Sequence, residues 1–162
     1  MSISENIWHA AQNGSVDVLS ALIEVRANVN TYDDNNATPL HYAAKDGQNT
    51  ALQILINADA FVDAVDDANR TPLHYATMNG HSGTMRVLIA AKASVDMKDM
   101  FHWYILHFAA WGGDSAIVQV LLDSKATVDV EDDGLRTPLH YAAWNGHNSV
   151  LHMLLAYFHN LK

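Results

Sequence analysis

Thr38-Pro39-Leu40-His41 decides the fold, because it does not stand alone. The run returns as Thr71-Pro72-Leu73-His74 and as Thr137-Pro138-Leu139-His140, with Tyr104-Ile105-Leu106-His107 in the same phase between them. The spacing is constant, and one more equal step back from Thr38 lands on Glu5-Asn6-Ile7-Trp8, a degenerate fifth copy. Other columns keep the register. Glycine stands at Gly14, Gly47, Gly80, Gly113 and Gly146, and leucine at Leu22, Leu55, Leu88, Leu121 and Leu154. Alanine recurs at Ala10, Ala43, Ala76, Ala109 and Ala142, and again at Ala27, Ala60, Ala93 and Ala126. Several columns in one phase mark an internal repeat.

Each column has a local physical meaning. Thr before Pro is a helix N-cap followed by the favoured first helical residue. Leu40, Ala43 and Ala44 then place small apolar groups at helical spacing, suited to close helix packing. Gly47 supplies the positive φ that ends a short helix. A second helix follows with Leu52, Leu55 and Ile56 on one face, and Ala60, Val62 and Asp66-Asp67 lead through a turn-rich stretch into the next Thr-Pro. Such a unit cannot bury its own apolar face, so it must stack on its neighbours.

These residues resemble the ankyrin repeat family, whose 33-residue period and Thr-Pro-Leu-His-x-Ala signature they match over nearly the whole chain. The resemblance implies a mainly α solenoid of stacked hairpin loops and helix-turn-helix units. It also implies a single domain over 1–162, with repeats near 4–36, 37–69, 70–102, 103–135 and 136–162. Hairpin tips and first helices would line a concave face. Repeat one, with Glu5-Asn6 for Thr-Pro and Trp8 for His, reads as a cap. At the other end His159 breaks the alanine column, and Phe158 stands where Arg26, Asp59, Lys92 and Lys125 stand. Tyr157, Phe158 and Leu161 are apolar for a free end, so weak self-association there, or a longer array cut short, stays open.

Composition narrows the function classes. The 162 residues carry a formal net charge of −9, which argues against a nucleic-acid backbone as partner. With no cysteine there is no disulfide, thiolate nucleophile or Cys-based zinc site. That fits a reducing compartment, and a cytoplasmic or nuclear location is the expectation. Met1–Asn6 has neither the basic nor the apolar region of a signal peptide, and no apolar run approaches the ~20 residues that span a bilayer. The sequons at Asn13, Asn36 and Asn69 read as accidents of the repeat.

Ten histidines invite a metal hypothesis. His41, His74, His107 and His140 are the motif histidines, which in the family link adjacent loops by hydrogen bonds. His81 and His147 follow the repeat glycine, and His9, His102, His152 and His159 are scattered. No metal or other cofactor is expected. Asp33, Asp66, Asp99 and Asp132 form one column and Asp63, Asp96 and Asp129 another; both read as turn chemistry. The further acids Asp34, Asp67, Glu131 and Asp133 would give the hairpin edge a negative potential suited to a basic partner surface. No phosphate loop, nucleophile elbow or zinc helix is present, so no enzyme is expected.

Function is sought where one copy departs from its siblings. Repeat four replaces Thr-Pro with Tyr104-Ile105, preceded by Met100, Phe101, His102 and Trp103 where a sibling has Asp67, Ala68, Asn69 and Arg70. The column Gln12, Lys45, Met78, Trp111 and Trp144 lies at the end of the first helix, facing the groove in the family's geometry. Beside it runs the hairpin column Ala37, Arg70, Trp103 and Arg136. Polar or small siblings show that the core does not demand aromatics here. The expected partner-binding residues are therefore Arg70, Met78, Met100, Phe101, Trp103, Trp111, Arg136 and Trp144, a Trp- and Arg-rich set typical of binding hot spots. The resulting reading is a protein–protein interaction module that binds through the concave hairpin and first-helix face, anchored by an aromatic patch in repeats three to five, expected to be monomeric, with no nucleic-acid or membrane partner. Rival readings are an engineered or selected ankyrin-type binder, a regulatory fragment of a larger protein, and an enzyme using the acidic edge.

Overall fold

The computed structural model describes residues 3–160, with side chains described from Ile7 to His159. The first-repeat residues Glu5 and Asn6 fall outside the described side chains, and Leu161 falls outside the described residues altogether. Among the described residues there are ten helices and no strand. Two compact units divide the chain, Met1–Ala93 and Ser94–Lys162.

The first unit holds α1 (Ile3–Asn13), α2 (Val16–Glu24), α3 (Pro39–Lys45), α4 (Asn49–Asn57), α5 (Pro72–Met78) and α6 (Ser82–Ala90). They pair as repeats one to three: α1, α3 and α5 pack in sequence, and α2, α4 and α6 do the same. The second unit holds α7 (Ile105–Gly112), α8 (Ser115–Asp123), α9 (Pro138–Trp144) and α10 (Asn148–Asn160), with α7 on α9 and α8 on α10. Within each unit the leucine column and the alanine of the first helix meet in one core. Leu40, Ala43, Leu55, Leu73, Ala76 and Leu88 are buried in the first, and Leu106, Ala109, Leu121, Ala142 and Leu154 in the second. Alanine is the residue that lets two first helices approach closely. A larger side chain there would overpack the contact.

Thr38, Thr71 and Thr137 cap their helices in extended conformation, with proline at the first helical turn. The turns before them are closed by backbone bonds: Asp33 N–H to Ala37 C=O at 3.0 Å with Asn36 N–H to Asp33 C=O at 3.1 Å, and Asp132 N–H to Arg136 C=O at 3.1 Å with Leu135 N–H to Asp132 C=O at 3.0 Å. Trp8, in the histidine column, buries an indole N–H that has no partner among the described residues, so repeat one lacks that link.

Positive φ recurs at three positions per repeat and glycine fills only one of them; Asn36, Asn69, His102 and Leu135 hold another, in the turn before each first helix. Gly14, Gly47, Gly80, Gly113 and Gly146 adopt φ between 66° and 76°. A Cβ at Gly47 or Gly113 would also meet the ring of His81 or His147. The second left-handed position falls after the second helix, at Arg26, Asp59, Lys92 and Lys125, with φ 61°, 64°, 71° and 63°. A side chain there costs roughly 1–2 kcal/mol in backbone strain, partly offset by its smaller loss of chain entropy. Lys92→Gly and Lys125→Gly should therefore each stabilise by about 0.5–1 kcal/mol, read as a higher urea midpoint at unchanged slope. Phe158, in the same column, stays within α10, which runs thirteen residues where α8 runs nine.

Candidate functional site

The aspartate column builds the loops. Asp33 Oδ1 accepts the N–H groups of Asn35 and Ala37 at 2.9 and 2.7 Å. Asp66, Asp99 and Asp132 do the same two and four residues on. The second oxygen reveals a partner that sequence reading missed. Tyr42 donates its hydroxyl to Asp33 at 2.6 Å, Tyr75 to Asp66 at 2.6 Å, and Tyr141 to Asp132. The signal was a column of its own, Tyr42, Tyr75, Phe108 and Tyr141, at a fixed distance after the aspartate of each repeat. Burial raises the Asp132 carboxyl, but the Tyr141 hydroxyl, the Arg136 and Gly134 amides and the Arg136 charge outweigh it and hold it at about 2. Desolvation and the Asp132 bond push Tyr141 up to about 12.

The second aspartate column does something else. Asp96 accepts the backbone N–H and hydroxyl of Thr127, in the next repeat, at 3.0 and 2.7 Å. Asn30 spans the equivalent gap, donating to Asp59 C=O and accepting from Phe61 N–H. These side chains staple successive repeats, where the sequence suggested closure of their own turns.

The motif histidines work in two directions. His41 Nδ1 accepts the Thr38 N–H at 3.0 Å while its Nε2–H donates to Arg70 C=O at 2.9 Å. His107 caps Tyr104 N–H and reaches Arg136 C=O with the same distances. Tyr104 thus keeps its helix capped although threonine is gone. His81 and His147 donate backwards, to Lys45 C=O and Trp111 C=O.

Burial drives the pKa of His41 and His107 below 6.5, against the raising effect of their carbonyl bonds. Protonating Nδ1 would also displace the capped N–H. A folded-state pKa below the unfolded value means the unfolded chain binds more protons. The contribution is whole above about pH 6.5 and is lost as pH falls from there toward the folded value. Urea unfolding between pH 7 and 5 should show stability falling by up to about 1.4 kcal/mol per pH unit per histidine. A His41→Asn, His107→Asn variant should show a flatter profile over that range.

Trp103 organises the second unit. Its ring stands 4.5 Å from Tyr141, 5.1 Å from Phe108, 5.9 Å from Trp111 and 6.0 Å from His107, measured between centroids. It is half-buried. Arg136 is likewise engaged, with Nε 2.9 Å from Asp132 Oδ2 and the guanidinium 5.4 Å above the Tyr141 ring. Trp111 and Trp144, at the C-terminal ends of α7 and α9, are 50% and 71% exposed. Met100 and Phe101 are exposed on the turn before α7. Arg70 and Met78 lie in the first unit, the former half-buried and the latter exposed. Among the described residues, no group of three His, Asp or Glu side chains is placed to hold a metal ion, and no helix is long and apolar enough to cross a membrane.

A family model described as ankyrin repeats (3 copies) matches residues 7–99 and 91–162. No curated protein matches the chain at significant similarity.

Proposed function

Because the chain belongs to the ankyrin repeat family, whose repeats are generally protein–protein interaction modules, we propose that it binds a partner protein through the hairpin and first-helix face of repeats four and five. One observation carries this reading. Trp111 and Trp144 end neighbouring helices and expose half or more of their surface, a large apolar area of the kind that marks an interaction site. Trp103 and Arg136 stand behind them as a rigid support, and Met100 and Phe101 extend the apolar surface along the turn. Arg70 and Met78 hold the corresponding positions of the first unit and are proposed as partner contacts of that unit by itself. Rigid repeats lower the ordering cost of binding, so a few anchors suffice.

The exposed acids Asp34, Asp67, Glu131 and Asp133 favour a partner with a basic surface. That attraction should weaken as salt shortens the Debye length, while the aromatic contribution persists. The chain acts without catalysis of its own and as a monomer, in the cytoplasm or nucleus.

The test is retention by the immobilised chain, with wild type beside a Trp111→Ala, Trp144→Ala variant of equal melting temperature. A protein held by wild type and lost by the variant supports the reading. A protein held equally by both puts the binding surface elsewhere.

A further inference from the structure

The first unit contains, as an open pocket, the place that Trp103 fills in the second. Two repeats earlier in the chain, Ala37 stands for Trp103, Tyr42 for Phe108, Lys45 for Trp111, Arg70 for Arg136 and Tyr75 for Tyr141. The frames around the two places agree closely. His107 meets Tyr141 edge-on at 5.7 Å and 89°, and His41 meets Tyr75 at 5.6 Å and 89°. Both tyrosines donate to the aspartate nine residues before them, and both histidines donate to the carbonyl of the arginine. In the second unit the indole lies on Tyr141. In the first, Ala37 borders an open pocket of ≈ 310 Å³ lined also by Tyr42, Lys45, Arg70 and Tyr75 and by the carboxylates of Asp33, Asp66 and Asp67.

We propose that this pocket is a docking site for a tryptophan side chain of a partner protein. Trp103 is the chain's own example of the occupant, its indole ring 4.5 Å from the equivalent tyrosine and its N–H a donor. Tyr75 Oη, whose proton goes to Asp66, keeps a lone pair for such a donor. The space is about twice the ~150 Å³ that holds a benzene ring in an apolar cavity. Asp33, Asp66 and Asp67 line the pocket beside Lys45 and Arg70, but these carboxylates already accept from turn amides, Tyr42, Tyr75 and Asn36, so a neutral ring suits the space better than a guanidinium. The pocket lies in the first unit and does not depend on the reading of Trp111 and Trp144 as an anchor.

The test titrates N-acetyltryptophanamide into the isotopically labelled full chain and follows amide shifts. Saturable shifts are expected at Ala37, Tyr42, Lys45 and Tyr75, unchanged by Trp111→Ala with Trp144→Ala and absent with N-acetylargininamide. Ala37→Trp should fold, melt higher than wild type and bind the probe at least about tenfold more weakly. Trp103→Ala should gain a second set of shifts around Tyr141. No saturable shift in wild type, the same shifts in Ala37→Trp, a stronger response to the arginine amide, or failure of Ala37→Trp to fold would each overturn the proposal.

Discussion

His107→Ala should destabilise the chain by about 2–3 kcal/mol, since a buried backbone group left unmet costs about 1–3 kcal/mol and a further lost hydrogen bond about 1 kcal/mol. The imidazole, fully buried, holds Tyr104 N–H with one nitrogen and Arg136 C=O with the other. Alanine leaves Tyr104 N–H unpaired and takes from Arg136 C=O one of its two donors, Asp132 N–H being the other. The edge contact with Tyr141 is lost as well. Against a typical total of about 5–15 kcal/mol, that is a large fraction. His140 serves as the control within the same unit. It caps Thr137 N–H but is itself exposed, so His140→Ala should cost only about 1 kcal/mol, the worth of a cap. His107→Gln should recover part of the loss, because glutamine can serve the capping position without reaching Arg136. Urea unfolding of the three variants measures all of this. Equal costs for His107→Ala and His140→Ala would mean that the link to Arg136 contributes nothing.

Trp103→Ala carries the second large effect. A fully buried Trp→Ala substitution costs about 3–5 kcal/mol, and a half-buried one with four ring neighbours should cost about 2–3 kcal/mol. Trp111→Ala and Trp144→Ala, which remove mainly exposed surface, should each cost less than about 1 kcal/mol. The contrast separates the support from the surface it supports, although all three are tryptophans in a patterned set. If Trp144→Ala destabilised as much as Trp103→Ala, its ring would be part of the packing and not a free anchor.

That division shows what the sequence made legible. The repeat length, caps, turn glycines and core leucines could be read from spacing, because each is enforced by local geometry that recurs once per repeat. The departure of repeat four could be read too, since Trp103 breaks a column of small or charged residues. Its half-buried setting could not, because the ring that receives it is Tyr141, in the following repeat, and side-chain direction on a turn follows from that neighbour. The role of Asp96 was hidden for the same reason: Thr127 lies one repeat on. The tyrosine column was visible but unexplained until its hydroxyls met the aspartates. Phe108, which has no hydroxyl, falls in the one repeat where tryptophan occupies the space alongside.

Site-specific crosslinking tests the central claim most directly. A photoreactive residue placed at Trp144, and separately at exposed Gln119 on α8, would report which surface meets a partner. The account predicts a discrete crosslinked protein from position 144, lost on adding Trp111→Ala, and none from position 119. Crosslinks from 119 alone, or equal yields from both positions, would contradict it.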